Sequence, residues 1–356
     1  MDRRRCDSSA DHNLEPRVAP VSIAPSPIKR ATIVGDGAMG TVCGLILAGR
    51  GVDVRIWSPF PNQIADLQRD RENRRFLAGH SFPDALTATA DAAEAFCDTE
   101  LIVSAVPCQF VRQVWSDLAA AFPPGKPVVS VTKGIENGTL LRATQIIGDV
   151  LGEVPLAVLS GPSIATEVAD GLPCTVVSAS DDLTLAGLIQ QSFSTRSFRV
   201  YTNADLLGVE IAGATKNVVA LAAGIIDGLG AGDNAKAALI TRGLVEITRL
   251  GVAMGAHAET FKGLAGVGDL VTTCVSPVGR NRSAGERIGA GDPVAEVIAS
   301  TPSVIEGIPT TRSVAQLARE YHVKMPITSA VFEVLFEHMS PRSAIDELMT
   351  RQLKHE

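Results

Sequence analysis

Lys216 is the only charged residue between Ile211 and Ile226, in a run otherwise made of small and aliphatic residues with Thr215 and Asn217. On a helix its same-face neighbours are Ala212, Gly213, Val219 and Ala220, which leave an ammonium little contact with water. Burial disfavours the charged form, so such a lysine becomes able to exchange a proton near neutrality. A lysine snorkelling from a helix edge has the same signature. A second cation, Lys133, follows the apolar run Pro127 to Val131 in Thr132-Lys133-Gly134. A strand would deliver it to a ligand crevice, and a solvated loop is the alternative. Asp269 comes directly after Gly263, Gly266 and Gly268, a turn that allows close backbone approach and aims a carboxylate. Arg280 and Asn281 suit a phosphate dianion, because a guanidinium fork matches phosphate geometry, although a plain basic loop reads the same way. These residue types together point to acid–base chemistry on a small phosphorylated molecule.

The elements that must position them begin with a short strand, Ala31 to Val34, running into Gly35-Asp36-Gly37-Ala38-Met39-Gly40 and a helical stretch through Leu47. A second strand follows from Val52 to Trp57. Glycines at that spacing, between a strand and a helix, let a pyrophosphate lie against the backbone at the helix N-terminus, so this unit predicts dinucleotide binding. The second strand ends Trp57-Ser58-Pro59, with neither the acid that meets an NAD ribose nor an arginine for an NADP phosphate, and the choice between NAD and NADP stays open. Asp36 brings a carboxylate near the expected pyrophosphate; it either points away or weakens binding. Further apolar strands, Leu101 to Val106, Pro127 to Val131 and Leu156 to Leu159, end in Pro107-Cys108, Thr132-Lys133-Gly134 and Ser160-Gly161-Pro162-Ser163. In an open parallel sheet such carboxyl ends border the ligand site. After a strand over Ser197 to Thr202 the pattern is helical: Leu206 to Ile226, Ala235 to Met254, Pro293 to Ala299, Thr310 to Tyr321 and Ser329 to Phe336.

The expected fold is therefore an α/β Rossmann-like dinucleotide-binding domain over residues 28–202 and an all-α substrate domain over 203–356. A polar, proline-bearing tail over 1–27, expected to be disordered, precedes them. With 356 residues and 46% hydrophobic content there is material for two cores. A net charge of −7 without a long basic run argues against nucleic acid or an anionic membrane as partner. No apolar run reads as a bilayer span, and the arginines at 3 to 5 lead into no apolar segment, so the expected location is the cytoplasm. The six cysteines lie far apart, giving neither a metal site nor a disulfide framework.

With these motifs in order, the chain resembles the bacterial NAD(P)-dependent glycerol-3-phosphate dehydrogenases from about Arg30 to its C-terminus. The resemblance rests on Gly35-x-Gly37-x-x-Gly40-Thr41, Val106-Pro107, Thr132-Lys133-Gly134, Ser160-Gly161-Pro162-Ser163, Lys216-Asn217-Val218, Asn234-Ala235 and Thr241-Arg242-Gly243. Gly268-Asp269-Leu270, Thr272-Thr273-Cys274, Arg280-Asn281 and Glu306-Gly307 complete it. It implies interconversion of dihydroxyacetone phosphate and sn-glycerol 3-phosphate, with Lys216 exchanging the proton and Lys133, Asp269 and Thr273 arranged around it. It further implies substrate contacts at Lys133, Gly161, Ser163, Lys216, Asn217, Asp269, Gly279, Arg280 and Asn281. Contacts to NAD or NADP are implied at Gly35, Gly37, Ala38, Met39, Gly40, Pro59, Pro107, Lys133, Ala165, Arg280, Val304 and Glu306, and a homodimer is implied as the assembly. Met39, Pro59, Cys108, Ile164 and Gly279 depart from the usual family pattern. Cys108 and Gly279 motivate an alternative, a related dehydrogenase of another small phosphorylated or phosphonylated ketone or alcohol. Asp36 motivates another, a dinucleotide sensor without catalysis.

Overall fold

Short β-branched runs and longer small-residue runs sort this chain into a sheet and a helical bundle. The structure is a computed structural model that describes residues 24–301 and 303–353, so most of the expected tail lies outside the described residues. The strands are β1 (Arg30–Val34), β2 (Asp53–Trp57), β3 (Leu86–Thr89), β4 (Leu101–Ser104), β5 (Val128–Ser130), β6 (Leu156–Ser160), β7 (Cys174–Ala179) and β8 (Phe198–Asn203). Between them lie α1 (Ala38–Gly49), α2 (Pro61–Asp70), α3 (Ala92–Phe96), α4 (Val111–Leu118), α5 (Ala143–Leu151), α6 (Ala165–Ala169) and α7 (Leu183–Phe193). The strands form one sheet in the order β3-β2-β1-β4-β5-β6-β7-β8. Chain order reverses between β1 and β4, which opens a crevice at their carboxyl ends.

Both faces of the sheet are covered, which is why its strands read as continuous apolar runs. Ile33, Val103 and Val129 face α1, α2, α6 and α7, whereas Val34, Ile102 and Val128 face α3, α4 and α5. The sheet is not wholly parallel: β7 runs antiparallel to β6, and β8 follows β7. Residue periodicity carries no information on strand direction, so this departure from the expected parallel sheet was invisible in the pattern.

The remaining helices are α8 (Leu206–Gly228), α9 (Asp233–Ala253), α10 (Ala258–Phe261), α11 (Asp269–Val275), α12 (Arg280–Ala290), α13 (Val294–Ser300), α14 (Gly307–Glu320), α15 (Pro326–Phe336) and α16 (Pro341–Met349). Helix α8 is the axis of this half, capped by Asp205, whose carboxylate accepts from Gly208 N (2.8 Å). It is long and apolar enough to cross a membrane, contrary to the first reading of the sequence, yet its apolar window is entirely inside the protein. Small residues let α12 press its backbone against it: a Cβ on Gly224 would stand 1.9 Å from Arg282 O. The stretch expected as a glycine turn is a π-helical turn, Leu264–Gly268, that runs directly into α11.

Candidate active site

Four side chains from three parts of the chain meet beside α8. Lys216 Nζ donates to Asp269 Oδ1 and to Thr273 Oγ1 (2.6 Å), while Lys133 Nζ donates to Asp269 Oδ2 (2.5 Å) and to Gly161 O (3.0 Å). Lys133 leaves the end of β5, Lys216 lies mid-way along α8, and Asp269 and Thr273 are one turn apart on α11. Thr273 donates its own hydroxyl proton to Asp269 O (2.7 Å), which leaves its oxygen free to accept from Lys216. Lys216 is only 6% exposed, so the snorkelling alternative is excluded.

Two ammonium groups share one carboxylate, and the cluster carries a net positive charge. Burial pulls the Lys216 pKa down to about 8; Lys133 adds to the fall and Asp269 opposes it. Burial alone would raise Asp269, but the two lysines outweigh it and hold the carboxyl below its ordinary value. A buried ammonium poised near neutrality, next to an open strand end, can stabilise an alkoxide and exchange a proton with it.

The strand-end glycine at Gly161 is required by its backbone. Its φ is +144°, and a Cβ there would approach Val176 Cα to 2.9 Å, so the carbonyl that fixes Lys133 depends on this residue. Ser163 donates to the same carbonyl (3.1 Å). Asn217 Nδ2 donates to Lys133 O (3.2 Å), and Asn281 Nδ2 donates to Asn217 Oδ1 (3.0 Å) while its own oxygen accepts from Gly307 N (2.9 Å). This amide chain crosses from the β5 loop to α12 and α14. The Asn281 side chain therefore acts as a tie, and what it offers a phosphate is its backbone N–H in the first turn of α12. Arg280 lies in that first turn, exposed, and not in a loop as the basic-loop reading had it. Gly279 is the N-cap and no side chain caps the helix, leaving first-turn amides for an anion. A Cβ at 279 would lie 3.3 Å from both Ser276 O and Thr273 O, a tight fit.

At the end of β1 the residues fit a dinucleotide. Gly35 has φ +112°, and a Cβ would meet Ala105 O at 2.8 Å; one on Gly40 would meet Gly35 O at 2.3 Å. Gly37 is the uncapped N-cap of α1 and faces open space, so Ala38, Met39 and Gly40 present their amides to a pyrophosphate. Pro59 and Pro107 are exposed at the ends of β2 and β4, and Ala165 opens α6. Arg280 Nη1 donates to Val304 O (3.1 Å). Glu306 accepts from Cys108 N (2.9 Å) through Oε1, its Oε2 has no partner, and burial lifts its pKa to about 6. The Asp36 carboxylate is engaged on the α2 side: with the Gln63 amide oriented to satisfy both neighbours, its nitrogen donates to Asp36 Oδ2 (2.6 Å). Asn73 was missed by the sequence reading. It is buried, and its amide donates to Asp36 O (2.7 Å) and Thr41 Oγ1 (2.8 Å), holding the glycine loop; a lone asparagine in a polar stretch gives no signal of this.

Two motives for other readings weaken on this geometry. The Cys108 side chain is fully buried, packed against Gly134, and burial pushes its thiol pKa far up. The cluster of Lys133, Lys216, Asp269 and Thr273 is complete, which a sensor does not need. A concavity of about 610 Å³ lined by Arg319, His322, Lys324 and Glu333 among others contains none of these residues.

Comparison with known proteins agrees. Residues 30–186 match the N-terminal and 205–346 the C-terminal part of the family described as NAD-dependent glycerol-3-phosphate dehydrogenase. The glycerol-3-phosphate dehydrogenase [NAD(P)+] of Prosthecochloris aestuarii is 47% identical over 91% of this chain and 99% of its own. That of Geobacillus kaustophilus is 46% identical over 92% and 96%. The crystal structure of glycerol-3-phosphate dehydrogenase from Coxiella burnetii superposes with a TM-score of 0.88 at 38% identity, covering 91% of this chain and 99% of that one. The chain belongs to the NAD(P)-dependent glycerol-3-phosphate dehydrogenase family.

Proposed function

We propose that the protein reduces dihydroxyacetone phosphate to sn-glycerol 3-phosphate, reversibly, with NADH or NADPH as reductant. The observation that carries the mechanism is the Lys216–Asp269–Lys133 cluster, a buried ammonium with a lowered pKa at the carboxyl end of the sheet. Residues 28–202 act as the cofactor domain and 203–356 as the substrate domain, with the cluster between them. The glycine loop after β1 and the first turn of α1 hold the pyrophosphate, and Arg280, Val304 and Glu306 close the opposite wall. A bound reduced nicotinamide supplies a hydride to the substrate's C2.

As the carbonyl oxygen gains negative charge, the Lys216 ammonium stabilises it and gives up a proton to it, leaving a neutral amine and a secondary alcohol. Solvent returns the proton to Lys216 before the next turnover. Oxidation runs the same steps backward, with the neutral amine taking the hydroxyl proton. Lys133 lowers the proton affinity of Lys216 and supports the substrate, and Asp269 with Thr273 fixes where the ammonium points. Arg280 and the amides at the start of α12 bind the phosphate, a remote group whose binding orients the ketone. The product's role is to supply glycerophospholipid synthesis, and the enzyme works in the cytoplasm as a homodimer.

Steady-state kinetics with NADH and NADPH on dihydroxyacetone phosphate test the reading. Turnover above background with at least one of them is expected. Background rates with both, alongside turnover of a different small phosphate, would sink it.

A further inference from the structure

Strand order β3-β2-β1-β4 puts the end of β2 on the adenosine side of the crevice, where an acid ordinarily meets the ribose 2′-hydroxyl of NAD and a base the 2′-phosphate of NADP. Here β2 ends at Trp57-Ser58-Pro59 and supplies neither. A carboxylate reaches the place from the neighbouring strand. Val34 pairs with Trp57, and Gly35 N donates to Trp57 O (2.9 Å), so Gly35 stands level with Ser58 and Asp36 with Pro59. Asn73 pins its backbone carbonyl (2.7 Å), and Gln63, in the first turn of the helix after β2, donates to its Oδ2 (2.6 Å). Burial raises the Asp36 carboxyl above its ordinary value, and the nearby buried Ser58 hydroxyl, itself without a hydrogen-bond partner among the described residues, and the Arg75 charge oppose that rise. Arg75 approaches only through the Gln63 oxygen, and its guanidinium lies 4.9 Å from the Phe76 ring.

We propose that Asp36 reads the 2′ position of the cofactor's adenosine ribose, accepting the 2′-hydroxyl of NAD and repelling the 2′-phosphate of NADP, so that the enzyme takes NAD. The inference rests on the dehydrogenase reading above and decides the cofactor that reading left open. It explains how a second strand without an acidic end serves NAD: the acid is carried between the first two glycines of the loop. It also gives Asp36 a use in a motif where a carboxylate is otherwise a liability toward the pyrophosphate. With the carboxylate neutralised, exposed Arg75, one side chain away, is placed to meet a phosphate.

The test is calorimetric titration of the substrate-free protein with NADH and with NADPH. The unaltered protein, Asp36→Asn and the double variant Asp36→Asn with Arg75→Ala are compared. A dianion beside a carboxylate should cost NADPH about tenfold or more in affinity relative to NADH. Asp36→Asn, nearly the same shape, should erase that gap mainly by tighter NADPH binding, and the added Arg75→Ala should remove the gain. On unaltered protein, adenosine 2′,5′-bisphosphate should displace NADH at least about tenfold less well than 5′-AMP, which tests the idea even if the variants fold poorly. Equal affinities for the two dinucleotides, a preference for NADPH, or an unchanged ratio in folded Asp36→Asn would overturn this inference alone. Binding of neither dinucleotide would overturn the dehydrogenase reading and this inference with it.

Discussion

Replacing Lys216 by methionine removes the ammonium while keeping a long unbranched stem in the α8 core. Loss of the proton donor should lower kcat for ketone reduction by at least about a hundredfold, the low end for a positioned general acid, and loss of alkoxide stabilisation adds to this. Stability should respond quite differently. Holding the pKa at about 8 against an ordinary 10.5 means that the charged form is disfavoured by roughly 3 kcal/mol relative to water. That figure is already net of the attraction to Asp269, so removing the ammonium should not destabilise the fold, and Lys133 still donates to the other carboxylate oxygen at 2.5 Å. The expected variant is folded, within about 2 kcal/mol of the parent by urea denaturation, binds NADH as before, and is almost inactive. A variant that lost several kcal/mol of stability yet kept more than a tenth of kcat would refute the argument and make Lys216 a structural ion-pair residue.

Arg280→Ala should raise KM for dihydroxyacetone phosphate by about tenfold or more while changing kcat little, since phosphate contacts are alike in ground and transition states; a kcat loss at constant KM would place Arg280 at the reacting centre. Glu246, buried on α9, accepts from Ile327 N (2.8 Å) and Thr328 N (3.3 Å), and burial lifts its pKa from 4.5 to about 7. A carboxyl raised in the folded state contributes stability that is full below about pH 4.5 and lost as pH rises through 7. Relative to Glu246→Gln, the parent should therefore lose about 2–3 kcal/mol between pH 5 and pH 8 in urea titrations, and parallel curves for the two proteins would contradict this.

Local chemistry was legible in the sequence where the chain itself made a residue conspicuous. A lone lysine in an apolar helix and glycines between a strand and a helix carry their meaning within a few residues, and α8, β1 and the strand ends were readable for that reason. Partnerships were not. Asp269 lies 53 residues from Lys216 and 136 from Lys133, and only the packing of α11 against α8 and the β5 loop brings the three together. The same applies to the tie from Asn281 through Asn217 to Lys133 O, which holds the Asn281 side chain and leaves its backbone N–H facing outward from the first turn of α12. Short helices such as α3 and α6, five residues each, are too brief to show a period, and the reversal at β7 leaves no mark in composition. For Asp36 two directions were open in the sequence, and the side chain's direction is set by Gln63 on the neighbouring helix.

The central claim, that a buried Lys216 exchanges the substrate proton, is tested most directly by the pH dependence of kcat/KM in both directions on one preparation. Reduction needs the ammonium and oxidation the neutral amine, so reduction should decline and oxidation should rise as pH passes through about 8. Both limbs report Lys216 in its pairing with Asp269 and should share one apparent midpoint. Profiles that change in the same direction, or that stay flat between pH 7 and pH 9 in both directions, would contradict it.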